Sequence, residues 1–344
     1  MMRLRPIRRA DLPVLMDLAR ATGYGMTSLP PDEPTLARRI DQSIASFAKA
    51  DVDRPGPEYY LLVLERDGRV VGTTGVFATV GLAEPFYSYR VLHLTQVSRQ
   101  PAKKIDTELL QLVNDFAGAT ELATLFLAPD HRGGGAGMFL SKARYLLIAA
   151  HRNRFSDRVM AEIRGWIDDS GHSPFWEAVG RHFFGMDFAE ADRINAQGNQ
   201  QFIADLMPKF PLYTALLPDQ ARAVIAMPHA QAQGAKRLLE DEGFRYAGAV
   251  DIFDAGPSMA APMDQVRSVQ AARAMPARVG SADQGGPVRM MVCSPALDRF
   301  RILLTDQMPT EQGLTLSGEE WDALELDGPE AELWCAPLIK GGGA

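Results

Sequence analysis

The hydrophobic positions near the start of the chain change from an alternating to a helical period. Residues Leu4 to Ile7 alternate, which predicts a short first strand. Apolar residues then recur every three or four positions from Leu12 to Ala19, with Asp11 as the N-cap. A second helix is predicted to begin at Pro30-Pro31 and to continue through Ile44.

Longer apolar runs follow and predict the strands of a sheet. Asp67-Gly68 separates two of these runs, Tyr59–Arg66 and Arg69–Phe77, and this is the pattern of a β-hairpin. The pattern then predicts a strand over 87–97, an insertion with a short helix over 101–118, a strand over 121–128, a helix over 137–155 and a strand over 159–164.

The next segment contains a helix, then Gly and Phe, then a strand, and it does so twice. Ser173 as N-cap and Pro174 at the first helical position predict a helix through Phe184. The second copy is predicted as a short strand over 224–229, a helix over 235–242 and a strand over 249–253.

Composition changes after residue 256. Residues 257–287 are rich in Ala, Gly, Pro, Ser and Met, which is typical of a linker or covering segment. Short β-type runs follow at 288–293, 300–305, 313–316 and 331–336, with Ser317 as the cap of a short helix. We therefore predict a main body over 1–256, a linker over 257–287 and a small β-rich region over 288–340. Residues 341–344 are expected to be disordered.

The composition fits a globular protein with a sizeable core. The chain has 344 residues, 46% of them hydrophobic, with a net charge of −7 and a mean hydropathy of −0.12. The negative charge argues against nucleic acid as the main partner. No apolar run reaches the roughly 20 residues that span a bilayer, and no apolar segment follows the basic start as in a signal peptide. Cys293 and Cys335 fit buried thiols in a reducing compartment, so we expect a cytoplasmic protein without membrane contact.

A glycine-rich loop follows the strand predicted at 121–128. Arg132, Gly135 and Gly137 form an Arg-x-x-Gly-x-Gly pattern just before a helix. Glycine permits close approach and positive φ, and a helix N-terminus presents unpaired N–H groups to an anion. The loop therefore predicts a phosphate or pyrophosphate site, although it matches neither the nucleoside-triphosphate loop nor the dinucleotide fingerprint. The alternative is a plain glycine turn before a core helix.

This loop resembles the acyl-CoA loop of the GNAT N-acyltransferase superfamily. More discriminating are the runs AEIRG, SPFW, FFGMDF and DIFDAGP, which resemble the arginine N-succinyltransferase family. The resemblance covers nearly the whole chain. It implies an α+β fold with a GNAT-like, mixed, mostly antiparallel sheet flanked by helices, and a small β-rich C-terminal appendix. Residues 1–256 would then be the acyltransferase body.

The resemblance also implies a co-substrate and site residues. Succinyl-CoA is expected as co-substrate, with no permanently bound cofactor and no metal site. His229 occupies the position of the family's proton donor. The residues implied in CoA binding are Leu125, Phe126, Leu127, Arg132, Gly133, Gly134, Gly135, Ala136 and Gly137.

The activity implied by the resemblance is succinyl transfer to the α-amino group of L-arginine, the first step of arginine catabolism by the succinyltransferase route. One alternative is the same transfer to ornithine, or a role as one subunit of a mixed arginine/ornithine enzyme. Another is a non-catalytic acyl-CoA-binding partner subunit. A homo-oligomer, or a hetero-oligomer with a paralogous subunit, is compatible with all three.

Succinyl transfer to an amine requires proton transfer and charge recognition. A free amino acid carries an ammonium at neutral pH, so a proton must be removed, and the leaving thiolate of CoA needs one. Histidine titrates in this range, although from the residues alone the six histidines are equal contenders. Glu162 and Asp168 are candidates to pair with a guanidinium, and Arg90 and Arg164 to hold the succinyl carboxylate. The alternative is that these are solvated charges.

Overall fold

Fifteen strands in the described residues join into one β-sheet. The structure, a computed structural model, describes residues 1–23, 25–197, 201–281, 286 and 288–339. In chain order the strands are β1 (Met2–Pro6), β2 (Tyr59–Arg66), β3 (Arg69–Phe77), β4 (Ser88–Arg99), β5 (Ala102–Val113), β6 (Thr120–Leu127), β7 (Arg158–Glu162), β8 (Leu212–Tyr213), β9 (Arg245–Val250), β10 (Pro257–Pro262), β11 (Arg273–Val279), β12 (Met290–Cys293), β13 (Ile302–Thr305), β14 (Leu314–Leu316) and β15 (Glu330–Pro337).

The helices flank this sheet. They are α1 (Leu12–Arg20), α2 (Glu33–Ala48), α3 (Ala136–Ala150), α4 (Pro174–Ala178), α5 (Gly180–Phe184), α6 (Phe188–Ala196), α7 (Gln201–Leu206), α8 (Asp219–Ala223), α9 (Gln233–Asp241), α10 (Arg267–Ala271) and α11 (Gly318–Ala323). Across the described ranges, no helix has the length and apolar character needed to cross a membrane.

The sheet is mixed and mostly antiparallel, which confirms the fold class expected from the sequence. Its strand order is β14-β11-β15-β12-β13-β1-β2-β3-β6-β7-β10-β9-β4-β5-β8. The pairs β6–β7 and β11–β14 are parallel, and the other strand pairs are antiparallel. The parallel pair β6–β7 lies near the middle of the sheet.

Several local predictions are confirmed together with their physical cause. Asp67 and Gly68 have φ of 53° and 77°, so they form the tight turn between β2 and β3 that the Asp-Gly pair predicts. The Ser173 side chain accepts a hydrogen bond from the N–H of Trp176 at 3.2 Å and caps α4. Ser317 and Glu320 form a capping box at α11.

Two predicted elements are wrong. Residues 101–118 contain no helix in the structure; they form β5, which pairs with β4 from Ser88↔Val113 to Arg99↔Ala102. The outer part of this hairpin is exposed on both faces, so it lacks the hydrophobic pattern that marks a half-buried strand. Residues 224–229 do not form a strand: 224–226 form a turn in which Ala226 is left-handed with φ of 58°, and Pro228 forms only an isolated antiparallel bridge with Gly165.

The C-terminal part continues the same sheet. Within the segment 257–287, interpreted from sequence as a linker, β10 lies between β7 and β9 in the sheet and β11 pairs with β15. The small residues of β10 are buried, which explains their resemblance to linker composition. Strand β13 pairs with β1, so the β-rich C-terminal strands extend the sheet from its first strand. The division into domains stays a prediction, and the expected disorder of 341–344 falls outside the described residues.

Helix α3 forms the centre of the core. Nearly all its residues are buried, and Phe139, Leu140 and Leu147 have no exposed surface. Two charged residues lie on this helix and are also buried, Lys142 and Arg144. Lys142 forms an ion pair with Glu242, whose other contacts include the backbone N–H of Ser268 at 2.7 Å. Burial of α3 fixes the position of the glycine-rich loop that precedes it.

Candidate active site

A cavity of about 450 Å³ opens at the centre of the sheet. β6 pairs with β7 at Thr120 and Glu121, and no further pairs between these strands occur in the described residues. Beyond Glu121 both strands line the cavity, β6 through residues 121–127 and β7 with the residues after it through 161–164. The backbone of β6 on this side is therefore free to bind a ligand instead of a neighbouring strand.

A β-bulge in β6 shapes the cavity wall. Thr124 and Leu125 together lie opposite Thr74 of β3, because the pairing shifts between Thr73↔Phe126 and Gly75↔Ala123. Thr124 has a φ of 56°, and its strained backbone is held by hydrogen bonds from its N–H to Ser28 Oγ (3.1 Å) and from its hydroxyl group to the Ser28 carbonyl (3.2 Å). The bulge therefore lies in the part of β6 that lines the cavity.

The glycine-rich loop lies at the mouth of the cavity. Gly133, Gly134 and Gly135 have φ of 106°, 59° and 84°, a conformation that other residues adopt only with strain. Gly135 is the N-cap of α3, so the free N–H groups of the first turn face the loop. Six of the nine residues predicted to bind CoA line the cavity: Leu125, Phe126, Leu127, Arg132, Gly133 and Gly137. Gly134, Gly135 and Ala136 belong to the same turn but do not line it.

His229 lies at the rim of the cavity, beside two lining residues. Its Nδ1 accepts a hydrogen bond from the N–H of Gln231 at 3.1 Å, and its backbone N–H donates to the Arg164 carbonyl at 2.8 Å. Arg164 Nη2 lies 2.9 Å from His229 Nε2. Burial, together with the neighbouring Arg164 guanidinium, lowers the pKa of His229 below its usual value. The lowered pKa favours the neutral imidazole at pH 7.

Carboxyl groups form part of the cavity wall. Those that line the cavity in the described residues are Glu121, Glu162, Asp192, Asp251 and Asp254. Burial raises the pKa of Glu121 and of Asp192 to about 7, and burial with the nearby Asp251 raises the pKa of Glu162 well above its usual value. Glu162 Oε1 has no hydrogen-bond partner among the described residues. Such a wall favours a cationic ligand, which would compensate the buried negative charge.

Two of the discriminating sequence runs meet beside this wall. Asp254, from DIFDAGP, accepts hydrogen bonds from the N–H of Gly165 (2.7 Å) and of Gly256 (2.8 Å). Gly165 belongs to AEIRG and follows Arg164 directly. A Cβ atom on Gly165 would lie 2.3 Å from the Asp254 carbonyl oxygen, so only glycine permits this approach. The contact holds Arg164, and through it His229, in place.

Comparison with known proteins identifies the family of the chain. Residues 2–268 match the family model described as arginine N-succinyltransferase beta subunit. The chain belongs to the arginine N-succinyltransferase family. It is 42% identical to an arginine N-succinyltransferase of Enterobacter sp. (strain 638) over 328 residues, which is 95% of each chain. It is also 42% identical to an arginine N-succinyltransferase of Escherichia coli (strain 55989 / EAEC), over 94% of each.

A solved structure supports the same assignment. Arginine/ornithine succinyltransferase subunit AI from Pseudomonas aeruginosa is 33% identical to this chain, with a TM-score of 0.89 over 99% of both. The fold of this arginine N-succinyltransferase family member therefore extends over the whole chain. The resemblance identified from the sequence runs is confirmed.

The structure brings only two of the four predicted substrate-binding residues to the cavity. Glu162 and Arg164 line it. Arg90 lies elsewhere and pairs with Asp115 and the Ala247 carbonyl. Asp168 caps a turn, accepting hydrogen bonds from the N–H groups of Ser170 and His172, both at 2.9 Å. The placement of Arg90 and Asp168 thus argues against the binding roles predicted for them.

Sequence reasoning missed several residues of this family member's cavity. Asp251 and Asp254 belong to the discriminating run DIFDAGP, but that run had no assigned chemistry. Asp192 and Glu121 lie on elements whose local sequence does not indicate a place in a binding cavity. Arg144 did have a local signal, since it and Lys142 are the charged residues of a largely apolar helix. Across the described residues, no three His, Cys, Asp or Glu side chains are grouped as metal ligands.

Proposed function

We propose that this chain transfers succinyl from succinyl-CoA to the α-amino group of L-arginine, giving N2-succinyl-L-arginine and CoA. The observation that carries the proposal is one cavity that joins a glycine-rich loop, an open strand edge and an acidic wall, with the His229–Arg164 pair at its rim. The names of the relatives at 42% identity support the same reaction.

Succinyl-CoA would bind along β6 and the loop. The pyrophosphate fits the N–H groups of residues 133–137 at the positive end of α3. The pantetheine arm would then follow the open edge of β6 toward Leu125. A backbone N–H on this edge would stabilise the oxyanion of the tetrahedral intermediate, and the bulge at Thr124 presents the backbone for this contact.

The acidic wall would bind the cationic substrate. Arginine carries a guanidinium and an α-ammonium group, and carboxylates pair with both. Glu162 and Asp192 are buried carboxyl groups that face the same cavity as Arg164. Binding of the substrate in the cavity would place its amine near the thioester carbonyl, and orientation of this kind supplies much of the rate of such reactions.

His229 would carry out the proton transfer. The neutral imidazole accepts a proton from the α-ammonium, and the free amine attacks the thioester carbonyl directly. The C–S bond then breaks, the imidazolium passes its proton to the leaving thiolate of CoA, and the second proton of the attacking nitrogen is released to solvent. Cys293 and Cys335 are both buried, and burial raises the pKa of both thiols, so direct attack on succinyl-CoA is the proposed route.

Competition between two amines tests the proposal. The chain is incubated with succinyl-CoA and equal amounts of L-arginine and L-ornithine, and the products are identified by mass spectrometry. We expect N2-succinyl-L-arginine as the main product. Succinylornithine as the main product would favour the second candidate, which the Pseudomonas subunit's name suggests. Binding of succinyl-CoA without either product would favour a non-catalytic partner subunit.

A cytoplasmic location and an oligomeric assembly are further parts of the proposal. The two free cysteines support a reducing compartment. Assembly with a second copy or with a paralogous subunit is suggested by the Pseudomonas relative, which is described as a subunit.

A further inference from the structure

Arg144 is a buried cation that lines the cavity. It lies on α3, and only 2% of its surface is exposed. Its hydrogen bonds go to Ser141 of the same helix, from Nε to the carbonyl oxygen and from Nη2 to Oγ, each at 3.0 Å. In the described part of the chain, Nη1 has no hydrogen-bond partner and the guanidinium forms no ion pair.

Other buried arginines of this chain have more partners than Arg144. Arg5 pairs with Asp11 and Glu65, and Arg301 pairs with Glu325. Arg154 donates to the Tyr60 hydroxyl group and to two backbone carbonyls. A buried charge without a counter-ion is costly, and the nearby Glu242 already pairs with Lys142. Arg144 is therefore expected to have an anionic partner that enters the cavity.

The position of Arg144 selects the part of the ligand that would reach it. α3 returns from the loop, and at about 1.5 Å per residue Arg144 lies roughly 10 Å along the helix from Gly137. β6 leads into the loop, and at about 3.3 Å per residue Thr124 lies roughly 10 Å back from Leu127. Arg144 is thus level with the bulge, where the thioester would lie, and far from the pyrophosphate.

The other arginines that line the cavity have different surroundings. Arg132 is exposed at the loop and donates to the Leu127 carbonyl at 3.3 Å. Arg164 contacts His229 and the Thr22 carbonyl, near the charges of Asp254 and Asp192. Arg144 differs from both, because it is buried and its hydrogen-bond partners in the described residues all belong to Ser141 of its own helix; Leu140, Leu238 and Leu239 line the same cavity.

We propose that Arg144 binds the distal carboxylate of the succinyl group and so makes the site selective for a dicarboxylic acyl donor. The inference rests on the proposed function and names the residue that reads its acyl group. The two methylene groups of succinyl would lie against the leucines, and the carboxylate would accept hydrogen bonds from the guanidinium.

Donor selectivity tests this proposal. Butyryl-CoA has the same four-carbon acyl chain with a methyl group in place of the carboxylate. We expect kcat/KM of the wild type with L-arginine to favour succinyl-CoA over butyryl-CoA by about 100-fold or more. In Arg144→Met the preference should fall below about 10-fold, through loss with succinyl-CoA. If Arg144→Met does not fold, Arg144→Lys should show a smaller fall of the same kind.

Matched controls separate this role from a structural one. Arg154→Met also removes a buried arginine, but one outside the cavity, and should leave the donor preference unchanged. The affinity for CoA itself, measured by calorimetry, should not change in Arg144→Met. An unchanged preference, an equal loss with both donors, or a matching loss of CoA affinity would overturn the proposal.

Failure of the proposed function gives a different result. If the wild type acylates no amine, the comparison is made by calorimetry on the dissociation constants of the two acyl-CoA compounds. Tighter binding of succinyl-CoA that is lost in Arg144→Met would still support the role of Arg144. Equal affinities in the wild type would contradict it.

Discussion

At the scale of single residues, the proposed proton transfer rests on the His229–Arg164 pair. Arg164 places a positive charge 2.9 Å from His229 Nε2, and burial of the ring acts in the same direction. Both favour the neutral imidazole. An ordinary histidine is mostly neutral only above its pKa of about 6.5, whereas the lowered pKa keeps His229 neutral at more acidic pH as well.

The pH dependence of kcat checks this arrangement. Because the folded pKa of His229 is lowered, the neutral form persists below pH 6.5, and kcat at saturating substrates should fall only at more acidic pH. Arg164→Met removes the positive charge, so the pKa should rise and the acid limb should move to higher pH. Arg132→Met is the matched control, since it removes an exposed cavity arginine. An acid limb that moves equally in both variants would contradict this account.

At the scale of elements, the candidate site forms where β6 and β7 stop pairing, beside the glycine-rich loop that precedes α3. The hairpin β2–β3, the glycine-rich loop and the caps of α4 and α11 could be predicted from sequence, because Asp-Gly, Ser-Pro and glycine patterns act locally. The β4–β5 hairpin could not, because its outer part is exposed on both faces. The turn at 224–229 could not either, since the conformation of Ala226 depends on distant contacts such as its N–H bond to the Ala255 carbonyl.

The residues of the candidate site could likewise be predicted only in part from the sequence. His229 and the loop could be identified because the family resemblance points to those positions. Arg90 and Asp168 were selected by charge alone, and charge does not show which side chains share a cavity. Asp192 and Asp254 reach the cavity through tertiary packing that leaves no periodic signal in the sequence.

Gly165 offers a test at this scale. Gly165→Ala should displace the backbone beside Arg164, because the new Cβ would overlap the Asp254 carbonyl. We expect kcat to fall by about 100-fold, because small displacements of groups that position the reactants cause losses of this size. The melting temperature should also fall. Gly68→Ala is the control, since it lies in a distant turn with open space around its Cβ. It should lower stability through its positive φ yet leave kcat close to the wild-type value, whereas equal losses of kcat would argue against a positioning role.

At the scale of the whole molecule, the sheet ties the C-terminal third to the site. β10 lies between β7, which carries Glu162, and β9, which leads to Asp251. β13 pairs with β1, and Phe300 and Ile302 are buried in the core together with residues of α3. Glu162 and Asp251 line the same cavity as Arg144 and the glycine-rich loop, so this cavity contains both acidic and basic groups.

Truncation tests whether the main body needs the C-terminal strands in order to fold. A chain of residues 1–256 loses β10 and leaves the core around α3 exposed, so we predict that it does not unfold cooperatively when followed by circular dichroism. A chain of residues 1–339 is the control, because it keeps every described residue. Cooperative unfolding and full activity of residues 1–256 would instead support an independent body followed by a linker.

The release of CoA thiol from succinyl-CoA is the most direct test of succinyl transfer to L-arginine. It is followed with L-arginine, with N2-acetyl-L-arginine, whose α-nitrogen is blocked, and without amine. We predict release that depends on L-arginine, background release with the blocked compound, and a kcat lowered by about 100-fold or more in His229→Ala. Release that is equal with and without L-arginine, or absent in a folded chain that binds succinyl-CoA, would contradict the account.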